Sequence, residues 1–203
     1  LKEFLEMLIH CRVALDVAFV RSLEYGYTLD MNINSNDNSD LRKLLMFESF
    51  LYVSSSNMTN YRWFGWLMDV TVKASQFPSC TDLFHHLKSE CDKLNPLPKY
   101  NDLCYDREIR YWFWRLDFAI WEQRKELFKE DENSVLLDVA ENYVFIRNRS
   151  IEHIAPQHPK SESDLKWDEK DQDDTDLRNS FGNLVMISQG LNSALSNSSY
   201  EVK

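Results

Sequence analysis

The chain has 203 residues but only four glycines and five prolines, where average usage gives roughly 14 and about 10. Hairpin turns need the positive φ that glycine supplies, so this scarcity excludes a β-sandwich or barrel, and phosphate loops of the Walker or Rossmann type are absent. A hydrophobic share of 43% is enough for a sizeable core in one or two domains. The net charge of −10 argues on its face against a nucleic-acid binder, because phosphate affinity comes from Lys and Arg. However, residues 161–178 alone carry eight carboxylates, so that charge describes one segment more than the whole.

Residues 1–25 place Leu1, Phe4, Leu5, Leu8, Ile9, Val13, Leu15 and Phe19 at helical spacing, with Gly26 as the expected C-terminal stop. Residues 30–39 are Asn-rich and read as a loop. Ser39 or Asp40 can then cap a helix through LRKLLMFESFLYV. A third helix is expected over about 58–75, with Trp63, Phe64, Trp66, Leu67 and Val70 inward. Pro78 separates it from a fourth over roughly 80–94, and NPLP at 95–98 is a stiff break. Residues 105–130 give the strongest helical pattern, built on Ile109, Trp112, Phe113, Leu116, Ile120 and Leu127. Arg110, Arg115 and Arg124 interleave with its aromatics. Such a stripe can stack on single strands, but the favoured reading is a buried aromatic face with snorkelling arginines.

Beyond residue 131 the pattern changes. Residues 143–154 alternate β-branched or aromatic with polar residues and read as a strand. Residues 155–180 read as an acidic loop, 181–188 as a second short strand, and 190–203 as the start of a helix. The fold class expected is therefore mainly α. A helical region over 1–140 precedes a small strand–strand–helix module over 141–203. The chain starts at Leu1 without a Met and stops at Lys203, so a fragment is expected, with its last helix cut short.

The chemistry-bearing residues gather in that module. A histidine ending one strand, with an amide on the next helix, can build a single-metal phosphodiesterase site. Neutral imidazole takes a proton from water near pH 7. A carboxylate or amide oxygen holds Mg²⁺ and leaves positions for water and phosphate. An asparagine on the second strand can hydrogen-bond backbone near the histidine and fix its orientation. Glu152-His153, Asn183 and Asn192 are the residues of those types.

Ile151-Glu152-His153-Ile154-Ala155-Pro156 resembles the (D/E)HxxP signature of HNH, or ββα-metal, nucleases. Gly182-Asn183-Leu184 and the later Asn192 resemble the second and third signature positions. More narrowly, EHIAPQ, GNLVMIS and GLNSALSNSSYEVK look like the DUF1524-type C-terminal nuclease of GmrSD modification-dependent restriction enzymes. The resemblance implies His153 as general base, Asn183 as the orienting residue, and Glu152 and Asn192 as ligands of Mg²⁺ or Mn²⁺. It implies Lys203 as a phosphate contact, and His158 is a nearby candidate for contacting nucleic acid. It also implies DNA, modified or not, as substrate, cut to 5′-phosphate and 3′-hydroxyl. A ParB-like nucleotidase domain (DUF262) would precede this segment in the full protein. An RNase on the same site, or a non-catalytic helical domain with a degenerate nuclease fold, are the alternatives.

His85-His86 lack a third ligand at helical spacing, and the acidic run lacks the glycine of a calcium loop. Cys11, Cys80, Cys91 and Cys104 show no CxxC spacing and read as reduced thiols of a cytoplasmic protein. No apolar run approaches ~18 residues and no signal-peptide pattern is read, so no membrane partner is expected.

Overall fold

The computed structural model describes residues 1–31, 38–55, 62–105, 109–129, 135–148, 150–158 and 171–195. The chain is mainly α-helical, with two small antiparallel sheets of two strands each among the described residues. It divides into two compact units, residues 1–96 with 117–146 and residues 97–116 with 147–203. No helix among the described residues is long and apolar enough to cross a membrane.

The first unit opens with α1 (Lys2–Ala18). This helix ends well before Gly26. At its end the buried Glu48 accepts a hydrogen bond from Val20 N–H at 2.9 Å, and the chain becomes extended at Phe19. β1 (Arg21–Leu23) and β2 (Gly26–Thr28) then form a hairpin, closed by the Leu23–Gly26 pair. Gly26 has φ +144°, a conformation that side chains resist, so it serves the hairpin rather than stopping a helix.

α2 (Asn38–Ser54), α3 (Arg62–Lys73) and α4 (Cys80–Leu94) follow at or near their expected positions. α4 packs against both α2 and α3, and α1 packs against α3. The core is aromatic. Phe47 meets Phe84 at 5.4 Å and Phe118 at 4.9 Å between ring centres. Phe118 lies on α5 (Arg110–Leu127), whose buried residues in this unit are Phe118 and Trp121. Leu116, Ile120 and Leu127, expected inward from their spacing, are exposed. The Arg124 guanidinium lies 4.4 Å from the Trp121 ring centre, a cation–π contact that uses one arginine of the stripe internally.

α6 (Val135–Glu141) falls almost wholly within the expected helical region over 1–140, although no separate helix was read there. Residues 143–148 form no strand, although they alternate like one. Phe145 is buried beside Phe50, and Tyr143 donates to Asp117 at 2.7 Å. The alternation there serves side-chain packing, not a β-ladder.

In the second unit β3 (Ser150–His153) pairs antiparallel with β4 (Leu184–Ile187), with Ile151 opposite Met186 and His153 opposite Leu184. Paired residues share a face. That face packs on Ile109 and Phe113, joined by Phe181, whose ring stacks on Phe113 at 4.3 Å. Residues 155–180 are not all loop: α7 (Gln172–Asn179) is helical, capped by Asp171 accepting from Asp173 N–H. α8 (Gln189–Leu195) is capped by Ser188 and packs against β3.

Candidate functional site

His153 is the last residue of β3 and only 5% exposed. Its Nε2 lies 3.2 Å from Asn179 Oδ1 and 3.3 Å from Gln157 Nε2. The Tyr105 ring packs against the imidazole at 4.6 Å between centres. Two distant stretches of chain are brought to the ring by a short backbone bridge. Tyr105 N–H donates to Asn179 C=O at 2.9 Å, Phe181 N–H donates to Leu103 C=O at 3.1 Å, and Cys104 pairs with Ser180.

Asn183 closes the turn that follows β3. Its Oδ1 accepts from Ala155 N–H at 2.9 Å. Its Nδ2 donates to Ala155 C=O at 3.2 Å and to Arg178 C=O at 2.8 Å. Its own carbonyl accepts from Ile154 N–H at 2.8 Å. The two residues after His153 are thus fixed to the start of β4 by one asparagine. A 3₁₀ turn over Phe181–Asn183 sets that asparagine in place.

Glu152 is opposite Val185 in the ladder. Strand alternation therefore puts Glu152 and His153 on opposite faces of β3, with the strand ending directly after the histidine. Asn192 sits half-buried on α8, which packs against β3. His158 is exposed beyond the turn. Lys203 lies outside the described residues. The structure thus brings His153 and Asn183 together through the Ala155 turn and leaves Glu152 on the other side of the strand. Among the described residues, no three His, Cys, Asp or Glu side chains gather as a metal cluster.

Tyr105, Gln157 and Asn179 were not singled out from the sequence. Gln157 is the last residue of the EHIAPQ stretch, although the sequence reading gave it no role. Tyr105 and Asn179 gave no local signal, because a long-range backbone bridge brings them to His153.

Residues 97–203 match the family model described as GmrSD restriction endonucleases, C-terminal domain. The match begins where the second compact unit begins. The matched stretch, which also includes residues 117–146 of the first unit, is thus a nuclease-related domain of the kind found in restriction endonucleases. The chain belongs to the GmrSD C-terminal domain family. No curated protein and no solved structure matches it significantly.

Proposed function

We propose that the chain carries a divalent-metal-dependent DNA endonuclease module of the ββα-metal type, with residues 141–203 as its catalytic part and residues 1–140 as a helical region. In this reading His153 takes a proton from a water molecule, which attacks the phosphorus as the bond to the 3′ oxygen breaks. The products are a 5′-phosphate and a 3′-hydroxyl. Asn183 orients His153 through the backbone. The single observation that carries the reading is the Asn183 clasp on Ala155, which fixes the chain directly behind a buried strand-end histidine.

Glu152 offers a carboxylate and Asn192 an amide oxygen, from elements that pack together. Both are hard oxygen donors that suit Mg²⁺ or Mn²⁺, and the fit rests on this donor chemistry. When bound, such an ion would stabilise charge on the leaving oxygen. His158 and Lys203 would contact the phosphate backbone. The whole protein would act in cytoplasmic phage defence on DNA, modified or not, with a ParB-like nucleotidase domain ahead of this segment.

Purified His153→Ala protein is expected to stay folded and lose Mg²⁺-dependent DNA cleavage. Equal activity in the variant would end this mechanism. The separation of Glu152 from His153 across the strand favours a second reading, a degenerate nuclease fold used for interaction. A folded wild-type protein that binds neither Mn²⁺ nor DNA at low salt would establish that alternative.

A further inference from the structure

We infer that Arg178 is a phosphate-binding residue of the second unit, its guanidinium holding a backbone phosphate of DNA beside His153. The inference deepens the proposed nuclease reading and rests on it.

Three observations converge on this residue. The first is its place. Arg178 is the penultimate residue of α7. Its carbonyl accepts from Asn183 Nδ2 at 2.8 Å, so the asparagine that clasps the Ala155 turn also pins the arginine backbone. The next residue, Asn179, has its Oδ1 3.2 Å from His153 Nε2. Consecutive Cα atoms lie about 3.8 Å apart, and consecutive side chains of a helix about 100° apart rather than opposed. The long arginine stem therefore starts one residue from a neighbour of the imidazole. The second observation is unmet bonding capacity. Nε of Arg178 is buried and without a hydrogen-bond partner among the described residues, and no ion pair of its guanidinium is found among them. A guanidinium always carries its charge and presents its donors as a planar fork that fits a phosphate. A buried donor left unpaired costs free energy, and an oxyanion arriving at the fork recovers it. The third observation is the acidity of the stretch. Residues 161–178 hold eight carboxylates against Lys166, Lys170 and Arg178. Asp171 accepts from Asp173 N–H and Asp176 from Gln172, so two acids of this stretch are engaged without Arg178.

The test reads binding without turnover. The full chain is titrated into a short fluorescein-labelled DNA duplex in EDTA, and anisotropy gives Kd from about 25 to 150 mM KCl. Arg178→Gln is expected to weaken binding roughly 10-fold at the lowest salt. It should also flatten the slope of log Kd against log salt by about 0.9, the share of one phosphate. Arg178→Lys keeps the charge and should keep the slope, while losing affinity with the fork. Lys73→Ala removes one positive charge from the exposed Lys73–Asp69 pair of the first unit and should change neither quantity. A merely structural role, such as a cation favouring the C-terminal end of α7, would lower the denaturant midpoint without moving the salt slope. With Mg²⁺, Arg178→Gln should raise KM roughly 10-fold and change kcat less, the pattern of a lost ground-state contact. Unchanged affinity and slope in Arg178→Gln overturn the inference. So does an equal loss in Lys73→Ala, which marks a general effect of charge. Should Arg178→Gln fail to fold, the Nε–H signal of Arg178 in ¹⁵N-arginine protein decides, identified by its absence in Arg178→Lys. It should move as the duplex is added, and a signal that DNA leaves in place overturns the inference. If Arg178→Gln loses affinity and slope while His153→Ala cuts DNA normally, the base role of His153 fails and the Arg178 assignment stands. If cleavage depends on His153 and Arg178→Gln behaves as wild type, the nuclease reading stands and the Arg178 assignment falls. A wild type that binds no duplex at the lowest salt overturns both.

Discussion

At the scale of single residues, a side-chain amide fixes the turn after β3 in the second unit. Asn183 makes one acceptor and two donor contacts to backbone, with both chemical ends of its amide used. Asn183→Ala leaves the Ala155 amide and two carbonyls to find other partners. A cost of about 1–3 kcal/mol in denaturant unfolding of this unit is expected. Asn183→Asp keeps the acceptor for Ala155 N–H but turns a carboxylate toward the carbonyls of Ala155 and Arg178. It should destabilise at least as much as alanine at pH 7 and recover as the pH falls and the carboxyl protonates. Equal stability of the Asp variant and wild type at pH 7 would show that the clasp carries no weight. Part of this neighbourhood was readable in advance. EHIAP marks a strand end before a proline, and an asparagine on the facing strand is the residue type that ties backbone on both sides. Asn179 and Tyr105 were not readable, because nothing local to either residue encodes the bridge between residues 103–105 and 179–181.

At the scale of elements, legibility followed local chemistry. α4 runs from Cys80 to Leu94, matching its sequence signals, because Ser79 and Asp82 form a reciprocal capping box and Asn95 ends the helix. Ser79→Ala removes the acceptor for Asp82 N–H at 3.1 Å. It should lower stability by about 1 kcal/mol, measured as a shift in the denaturant midpoint at constant slope. An unshifted midpoint would mean that packing of Leu83, Phe84 and Leu87 alone holds the start of α4. Where tertiary partners decide, the periodic signal misled. The apolar spacing of α5 is satisfied by several faces of one aromatic-rich helix. The face buried in the first unit is the one that meets Phe47 and Phe50, not the one carrying Ile120 and Leu127. The strand pattern over 143–148 failed for a related reason, since Phe145 and Tyr143 found helix partners instead of a ladder.

At the scale of the whole molecule, the low glycine count held as a veto on large β structure among the described residues. Gly182 and Gly190 lie on either side of β4, but the glycine with positive φ is Gly26, in a hairpin that the sequence pattern did not reveal. That hairpin begins where Glu48 captures Val20, and this contact governs how the molecule should respond to pH. Glu48 is fully buried on α2. One carboxyl oxygen accepts from Val20 N–H, and the other has no hydrogen-bond partner among the described residues. Burial pushes its pKa well above the ordinary 4.5, and the hydrogen bond from Val20 opposes this only in part. Burial also raises Asp117, against the smaller lowering effect of its bond from Tyr143. A carboxyl whose folded pKa is raised binds more protons in the native state than in the unfolded state. Stability is therefore unaffected below the ordinary carboxylate range and falls as pH rises above it, until the folded pKa is passed. The slope approaches about 1.4 kcal/mol per pH unit for each such group. Glu48→Gln keeps an oxygen for Val20 N–H and removes the titration. Denaturation curves from pH 4 to pH 8 should show the wild type losing stability across that range, and the glutamine variant losing clearly less. Parallel curves for the two proteins would mean that Glu48 ionises in the folded state as readily as in the unfolded one, and that the junction of α1 and β1 does not rest on a protonated carboxyl.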